Sequence, residues 1–489
     1  MALSTTTRAR NPAHEVRPAN GRHTGWPLRV GFLIDRLGPA GTESQLLALI
    51  RHLDRQRVQP FLFLLDGEDD VSRALEPTDC PVRSFGVRSL HKPRTWLQAW
   101  RFARFLRANR IDILQVYFPD STYFGVLAGR LAGVRRIVST RFNLGYWMTP
   151  PHRWLGRVYQ RLLDATVANC EACRETAIAD TWAAPERVAV LENGVSLPET
   201  VSAPIGMLPR RRVGLVANLR PVKDPETFIW AARLVVDRFP DAHLCIAGEG
   251  ELRPTLEALI AALHLRDHVS LLGNVSDVPQ FLTTIDIGVL CSLSEGSSNA
   301  VLEYMAAGRA VVASGVGGTL QLIEHGKHGL LVPPGDPQRL ADAIIELFQT
   351  PGRAAELATT ARLRVRERFD MNTRARKFER FYQRLMAGPI QVTRARTPWM
   401  PASPQMETAR LLTDVPGRPG RFWGDHTTLI APGKAPAILE RWLGQRWAER
   451  LTGIAAAFRL FARRSEFPGV VTGGGPCGMC FAWLQALIP

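Results

Sequence analysis

Acidic residues and cysteines are both scarce in this chain of 489 residues. Asp and Glu number 45 against 61 Lys and Arg, a net charge of +16, which excludes an acidic, solvating polymer. Seven cysteines over this length do not make a disulfide framework. Cys170 and Cys173 form a CxxC, and so do Cys477 and Cys480, but the first pair sits in the helical pattern NCEACRETAIAD and the two pairs lie far apart in sequence. A shared zinc site is therefore not expected, and a reducing, cytoplasmic setting is. No stretch reads as a signal peptide. Residues 1–26 are polar and Arg-bearing, as in a disordered tail, with an organelle transit peptide as the alternative. The uncharged stretch 467–489 contains three consecutive glycines and several prolines, which argue against a membrane-spanning helix.

What is present is apolar substance in an even spread. Hydrophobic residues make up 46% of the chain and the mean hydropathy is −0.06, enough for sizeable cores in about three domains. The positive charge is uneven: +3 over residues 1–26, +6 over 27–197, +1 over 198–388 and +6 over 389–489. Between Cys80 and Ile111 stand eight basic residues (Arg83, Arg88, Lys92, Arg94, Arg101, Arg104, Arg107 and Arg110) and no acidic one. Nucleic acid can answer such a patch, but no nucleic-acid motif accompanies it. The favoured partner of residues 83–110 is an anionic membrane surface or a phosphate-bearing acceptor. A helix over Arg94–Asn109 would present Trp96, Trp100 and Phe105 among Arg101, Arg104 and Arg107. The plainer alternative packs those aromatics on a sheet.

Strand-like runs alternate with amphipathic helical stretches along two series. The first holds Leu28–Ile34, Phe61–Leu65, Ile113–Val116, Ile137–Thr140 and Val188–Leu191. The second holds Val213–Ala217, Leu244–Ala247, Val269–Leu272, Ile287–Cys291, Ala310–Ala313 and Leu330–Val332. This alternation predicts two α/β domains with parallel sheets, Rossmann-like and facing across a cleft, divided by the polar stretch Ser196–Pro209. The expected division is a tail (1–26), a first domain (27–197), a second (198–370), a helix (371–388) returning to the first, a linker (389–436) with eight prolines, and an extension (437–489). The extension reads as an amphipathic helix followed by a partial Rossmann-like unit of uncertain fold.

The richest segment is SEGSSNAVLEYMAAGRAVVAS, residues 294–314. Glu295 stands on a loop, Gly296–Asn299 lead into a helix N-terminus, and Glu303 lies inside that helix, with Gly308 as its stop. Free N–H groups at a helix start attract phosphate, and a nearby carboxylate accepts hydrogen bonds from vicinal sugar hydroxyls. Two glutamates alone would more often be a cap and a solvated side chain. The flanking motifs VANLRPVKD (216–224), AGEGELR (247–253), LLGNV (271–275), IDIGVLCSLSEG (285–296) and VGGTLQLIEHGKHGLLVPPGD (316–336) change that balance.

In this order these motifs resemble the C-terminal half of glycosyltransferase family 4, retaining enzymes of GT-B fold that use nucleotide sugars. Weaker matches at LRVGFLIDRLGPAGTESQLLALIRHL (28–53), AGRLAGVRRIVSTRFNLG (128–145) and VAVLENGV (188–195) extend the resemblance over residues 28–386. The resemblance implies a nucleotide-sugar donor and a glycan, lipid-linked or envelope acceptor; the basic, aromatic stretch 94–109 adds the expectation of peripheral attachment at the cytoplasmic membrane face. It places the base and ribose at Gly273, Asn274, Val275 and Glu303, the ribose hydroxyls on Glu303, and the donor sugar on Glu295. Lys223 matches the family's phosphate-binding lysine. The family's arginine five residues earlier is Asn218 here, and Arg220 is its candidate replacement. The N–H groups of Ser297, Ser298 and Asn299 would address the sugar or distal phosphate. Gly38, Gly41 and Thr42 would form a loop that lets backbone approach the diphosphate.

The main departure is a histidine near the reacting sugar in many members. Its place after IVST is Arg141, and the second histidine place, after ILQVY, offers Gln115 and Tyr117. The Arg141 cation could still contact the sugar or phosphate, though an arginine is a poor proton shuttle; retaining transfer in this family is thought to let the departing phosphate take the acceptor proton. No Asp-x-Asp ends a strand of the second series, and GEDD (67–70) reads as a solvent loop, so metal-independent chemistry without a cofactor is expected. Two alternatives remain: a GT-B scaffold that has lost activity and a sugar-nucleotide epimerase of the same fold.

Overall fold

Runs such as VGFLI and ATVA carry no polar alternation, which suits strands covered by helices on both faces. The computed structural model describes residues 27–197 and 211–388, apart from Glu68 and Trp147. The expectations for residues 1–26, for 198–210 and for everything after 388, including Cys477 and Cys480, lie outside the described residues.

In the first half the elements run β1 (Leu28–Ile34), α1 (Gly41–His52), β2 (Val58–Leu64), α2 (Asp70–Leu75), β3 (Val82–Ser84), α3 (Pro93–Ala108), β4 (Ile113–Val116), α4 (Pro119–Ala132), β5 (Arg136–Arg141), α5 (Pro150–Gln160), β6 (Ala165–Ala168), α6 (Glu171–Thr181) and β7 (Val188–Val190). The second half runs β8 (Arg212–Val216), α7 (Pro225–Arg238), β9 (His243–Ala247), α8 (Arg253–Ala262), β10 (Val269–Gly273), α9 (Val278–Thr283), β11 (Ile287–Leu290), α10 (Asn299–Ala306), β12 (Ala310–Ser314), α11 (Thr319–Leu322), β13 (Leu330–Val332), α12 (Pro337–Gln349), α13 (Pro351–Arg364) and α14 (Met371–Ala387).

The first sheet has seven parallel strands in the order β3-β2-β1-β4-β5-β6-β7, and the second has six in the order β10-β9-β8-β11-β12-β13. Both are the doubly wound, Rossmann-like sheets that the alternation predicts. Strands β3 and β6 escape the sequence reading, for VRS has no apolar run and ATVA is built mostly of small residues. GEDD is not simply a loop either: Asp69 caps α2 by accepting from the Ser72 N–H, and Asp70 begins the helix.

Each sheet is buried on two faces. Helix α14 returns from the second half and contributes Phe378, Phe381, Tyr382 and Leu385 to the core beneath β1, β2 and β4. Its crossing is fixed where the Val195 N–H donates to the Phe369 carbonyl (2.9 Å) and the Met371 N–H to the Val195 carbonyl (3.2 Å). The fully buried Arg374 donates to the carbonyls of Gln45 (2.8 Å) and Glu192 (3.1 Å), so this helix also anchors α1.

Strand order reverses between β1 and β4 in one sheet and between β8 and β11 in the other. Such switch points open crevices beyond the carboxyl ends of the strands, where ligands bind. The loops after β1, β8 and β11 carry most of the residues singled out above.

Candidate functional site

The loops after β8 and β11 are sewn together. The Leu293 N–H donates to the Val222 carbonyl at 2.9 Å, and the Cys291 thiol to the Lys223 and Asp224 carbonyls. Asp224 takes a left-handed conformation (φ 46°), uncommon outside glycine, directly after Lys223. This turn delivers the lysine: Lys223 Nζ donates to Glu295 Oε1 at 2.5 Å, and Ser292 Oγ donates to the same oxygen at 2.7 Å. Lys223 and Glu295 thus come together, with the carboxylate buried and the ammonium half-buried.

Glu295 is held from behind by the loop after β12. The Gly318 N–H donates to the Gly296 carbonyl at 2.8 Å. A Cβ on Gly317, whose φ is +47°, would come within 1.9 Å of the Glu295 carbonyl oxygen, so only glycine fits there.

Helix α10 begins beside this pair. Its N-cap is Ser298, whose hydroxyl accepts from the Val301 N–H. The N–H groups of Ser297, Ser298 and Asn299 have no acceptor among the described residues, as expected at a helix start. Glu303 lies on the same helix; its carboxylate has no hydrogen-bond or ion-pair partner among the described residues, and burial pushes its pKa up to about 7. Gly273 ends β10 with φ +71°, and its carbonyl accepts from the Gly248 N–H at 2.8 Å, which ties Gly273, Asn274 and Val275 to the AGEGELR turn.

The first half meets α10 through small residues. Asn299 Nδ2 donates to the Gly41 carbonyl (3.0 Å), and Asn193 Nδ2 donates to Asn299 Oδ1 (2.8 Å) and to the Ser297 carbonyl (3.1 Å). A Cβ on Gly41 would press on Asn299 at 2.9 Å, and one on Gly296 would lie 2.4 Å from the Phe142 carbonyl oxygen. Gly41 and Thr42 are not loop residues as expected: they form the first turn of α1, with Gly38 alone left in the loop. The change is local, since a helix start offers the same free N–H groups.

Two expectations receive different geometry. Arg220 is exposed and reaches across the cleft, its charge opposing the rise in pKa that burial gives Glu43 of α1. Arg141 does not stand free before the donor: its Nη2 donates to Asp180 Oδ2 at 2.6 Å and its Nη1 to the Met148 sulfur at 2.8 Å. Gln115 and Tyr117, in the other expected histidine place, are buried and bonded to each other (2.7 Å), with Tyr382 donating to Gln115 at 2.8 Å. They serve the core rather than the cleft.

Sequence reading missed four residues. Asn193 was hidden within LENGV, although an Asn-Gly after a strand signals a special turn. Asp180 gave no signal. Glu43 is buried with one carboxylate oxygen unpartnered. Asp35 directly follows β1, the place where ligand-facing residues gather. Burial drives it up to about 7, against two hydrogen bonds from Ser121. Among the described residues no group of three His, Cys, Asp or Glu is arranged to hold a metal, and no helix is long and apolar enough to cross a membrane.

Comparison with known proteins agrees with this layout. Residues 210–350 match the family model for glycosyl transferases group 1, and residues 39–198 that for glycosyltransferase family 4. The UDP-Gal:alpha-D-GlcNAc-diphosphoundecaprenol alpha-1,3-galactosyltransferase of Escherichia coli is 25% identical over 333 residues, 62% of this chain and 86% of that protein. A GDP-mannose-dependent alpha-(1-6)-phosphatidylinositol monomannoside mannosyltransferase of Mycobacterium tuberculosis is 27% identical over 332 residues, 62% of this chain and 85% of that one. Among solved structures, Anabaena HepE in complex with UDP superposes with a TM-score of 0.64 at 22% identity, covering 73% of this chain and 100% of that one.

Proposed function

Because the chain belongs to the retaining, nucleotide-sugar-dependent glycosyltransferases of family 4, we propose that it transfers a hexose to a glycan or lipid-linked envelope acceptor at the cytoplasmic membrane face, without metal. The observation that carries the site assignment is the pairing of Lys223 with Glu295 at the open N-terminus of α10, with the unpartnered Glu303 on the same helix. In this reading Glu303 accepts hydrogen bonds from the ribose hydroxyls. The N–H groups of Ser297–Asn299 and the Lys223 ammonium face the diphosphate, aided by Arg220. Gly273–Val275 border the base, and the loop and helix start at Gly38, Gly41 and Thr42 border the diphosphate.

The chemistry follows from charge. The C1–O bond to the diphosphate breaks, its electron pair stays on the phosphate oxygen, and that oxygen takes the acceptor hydroxyl's proton as the acceptor oxygen bonds to C1 on the same face. Negative charge therefore grows beside Lys223, where a fixed cation and oriented dipoles stabilise the transition state more than the ground state. Glu295 serves twice, holding the lysine and orienting the sugar. Arg141, tied to Asp180, supports the sugar-side loop rather than moving a proton.

The relatives' names point to the donors to try first: UDP-galactose and GDP-mannose. The test measures nucleotide release from UDP-galactose, UDP-glucose and GDP-mannose in excess chelator, with and without bacterial lipid extract. Release from one donor, stimulated by lipid extract, is expected. Binding of a donor with neither hydrolysis nor transfer would favour the inactive scaffold, the reading that the missing histidines support.

A further inference from the structure

We propose that the outer face of α5 and α6 carries a second saccharide site, one that grips an anionic sugar unit of the acceptor away from the reacting end. The pocket there has a volume of about 490 Å³ and is lined by Trp154, Arg157, Arg161, Thr181, Trp182 and Arg187, among others. No acidic side chain lines it. The side chains of Arg161 and Arg187 have no hydrogen-bond or carboxylate partner among the described residues.

Trp182 is the telling residue. It caps α6 in the left-handed conformation (φ 55°, ψ 34°), which glycine adopts freely and a bulky side chain rarely does. Yet its side chain does not pack into the core, for the residue is 69% exposed. The Arg157 guanidinium sits over its ring, 4.0 Å from the centroid. Backbone strain spent on an exposed indole marks a functional site when the fold gains no packing from it. Trp154, 46% exposed, forms the other side.

Asp180 organises the rim. It draws Arg141 and Arg153 to its carboxylate, and its carbonyl accepts from Arg157 Nε at 3.3 Å, which leaves the flat face of that guanidinium on Trp182. Indole faces take the C–H face of a sugar ring, and arginine forks take carboxylate or phosphate. A concave site combining both, with Gln160 and Thr181 as neutral polar groups, suits a saccharide bearing an anion better than a flat bilayer. Gln160 and Thr181 also line a cavity of about 170 Å³ with Thr42, Phe142 and Asn143 that reaches the cleft, so one wall separates the two spaces. Assigning the occupant to the acceptor rests on the transferase reading above; the binding itself does not.

The test is equilibrium binding to the full chain, without donor, read by tryptophan fluorescence. Separate arms use trigalacturonate, mannose 6-phosphate, neutral maltotriose, and vesicles of phosphatidylcholine with phosphatidylglycerol. Saturable binding of trigalacturonate or mannose 6-phosphate is expected, with at least tenfold weaker binding of maltotriose. Isothermal calorimetry should show at least a tenfold loss in Trp182→Ala and in Arg161→Gln/Arg187→Gln, with UDP binding unchanged. Trp182→Gly should lose the saccharide while melting no lower than wild type, because glycine relieves the backbone. Three outcomes overturn the proposal: no saturable binding of either anionic sugar, unchanged binding in the Trp182 variants, or a Trp182-dependent association with vesicles alone. Saccharide binding that persists when transfer cannot be found would sink the transferase reading and leave this site standing.

Discussion

The two halves of this molecule share a sheet plan and differ in how their charges are satisfied. In the second half the candidate groups are left open to a ligand: Lys223 has one buried carboxylate partner, Glu303 has none among the described residues, and the N–H groups of α10 face the cleft. In the first half the equivalent places are filled from within. Arg141 is paired to Asp180, and Gln115, Tyr117 and Tyr382 form a closed buried chain. On the proposed reading, electrostatic preorganisation belongs to the half that would hold the donor, while the other half supplies shape. The sharpest way to break this comparison is Lys223→Ala. Loss of a fixed cation from the leaving group should lower kcat by about 10²–10³-fold, with a smaller change in donor KM. Glu295→Gln should lower turnover while sparing affinity for free nucleotide. A Lys223 variant with normal kcat and raised KM would place the lysine in ground-state binding alone.

Arg141 tests the other half. Both members of its pair are nearly buried, and removing one partner of such a pair costs about 3 kcal/mol in stability. Arg141→Ala should therefore lower the melting temperature, as should Asp180→Ala, and the two losses should be far from additive in the double variant. A normal melting temperature with kcat reduced a hundredfold would return Arg141 to the chemistry and remove the contrast between the halves.

Legibility follows the same division. All six strands of the second sheet are visible in the sequence, because each carries a mostly apolar run between helical stretches or turns. In the first sheet β3 and β6 are missed: VRS has no apolar run, and ATVA is brief and small. The Glu295–Glu303 segment reads directly as loop and helix start, since its N-cap, helix formers and stop glycine are local signals. Asn193, Asp180 and Glu43 matter only through partners that the fold brings from elsewhere in the chain, and no local pattern announces them. The capture of Arg141 by Asp180 is legible only from the packing of α6 on β5.

Glu303 sharpens the second half of the comparison. Its pKa of about 7 arises from burial alone, so the folded protein keeps the proton that the unfolded chain releases near pH 4.5. A carboxyl raised in this way makes stability fall as pH climbs from about 4.5 to about 7, then level off. Nucleotide binding to the ionised form should release that proton, so affinity should rise with pH up to about 7. Glu303→Gln should weaken nucleotide binding by roughly 1–3 kcal/mol and flatten this dependence. Calorimetry in two buffers of different ionisation enthalpy reads both effects. Equal affinity at pH 5.5 and 7.5 in the wild type would remove Glu303 from the ribose.

The smallest effect concerns the outer face of the first half. Helix α3 resolves the two readings of its aromatics by splitting them. Phe102 is buried and Phe105 packs inward under Arg83, while Trp96 (71% exposed) and Trp100 (57% exposed) point outward. Leu97 is exposed beside them, and the Arg104 guanidinium lies 5.7 Å from the Trp100 ring centroid. Exposed indoles among arginines suit the headgroup layer of an anionic bilayer, where each arginine contributes about 1 kcal/mol. The arginines are not equivalent. Arg107 Nη2 donates to the Leu131 carbonyl at 2.7 Å and its Nε to that of Ala132, so it closes the end of α4 and its loss would disturb the fold. Charge reversal at Arg94, Arg101 and Arg104 avoids that fault. The triple variant should leave anionic vesicles at low salt while keeping its melting temperature and its nucleotide affinity. Trp96→Ala/Trp100→Ala should weaken vesicle binding at every salt concentration, because burial of the rings is not screened. A wild type that ignores anionic vesicles at low salt would detach the enzyme from the membrane and make a soluble acceptor the better reading.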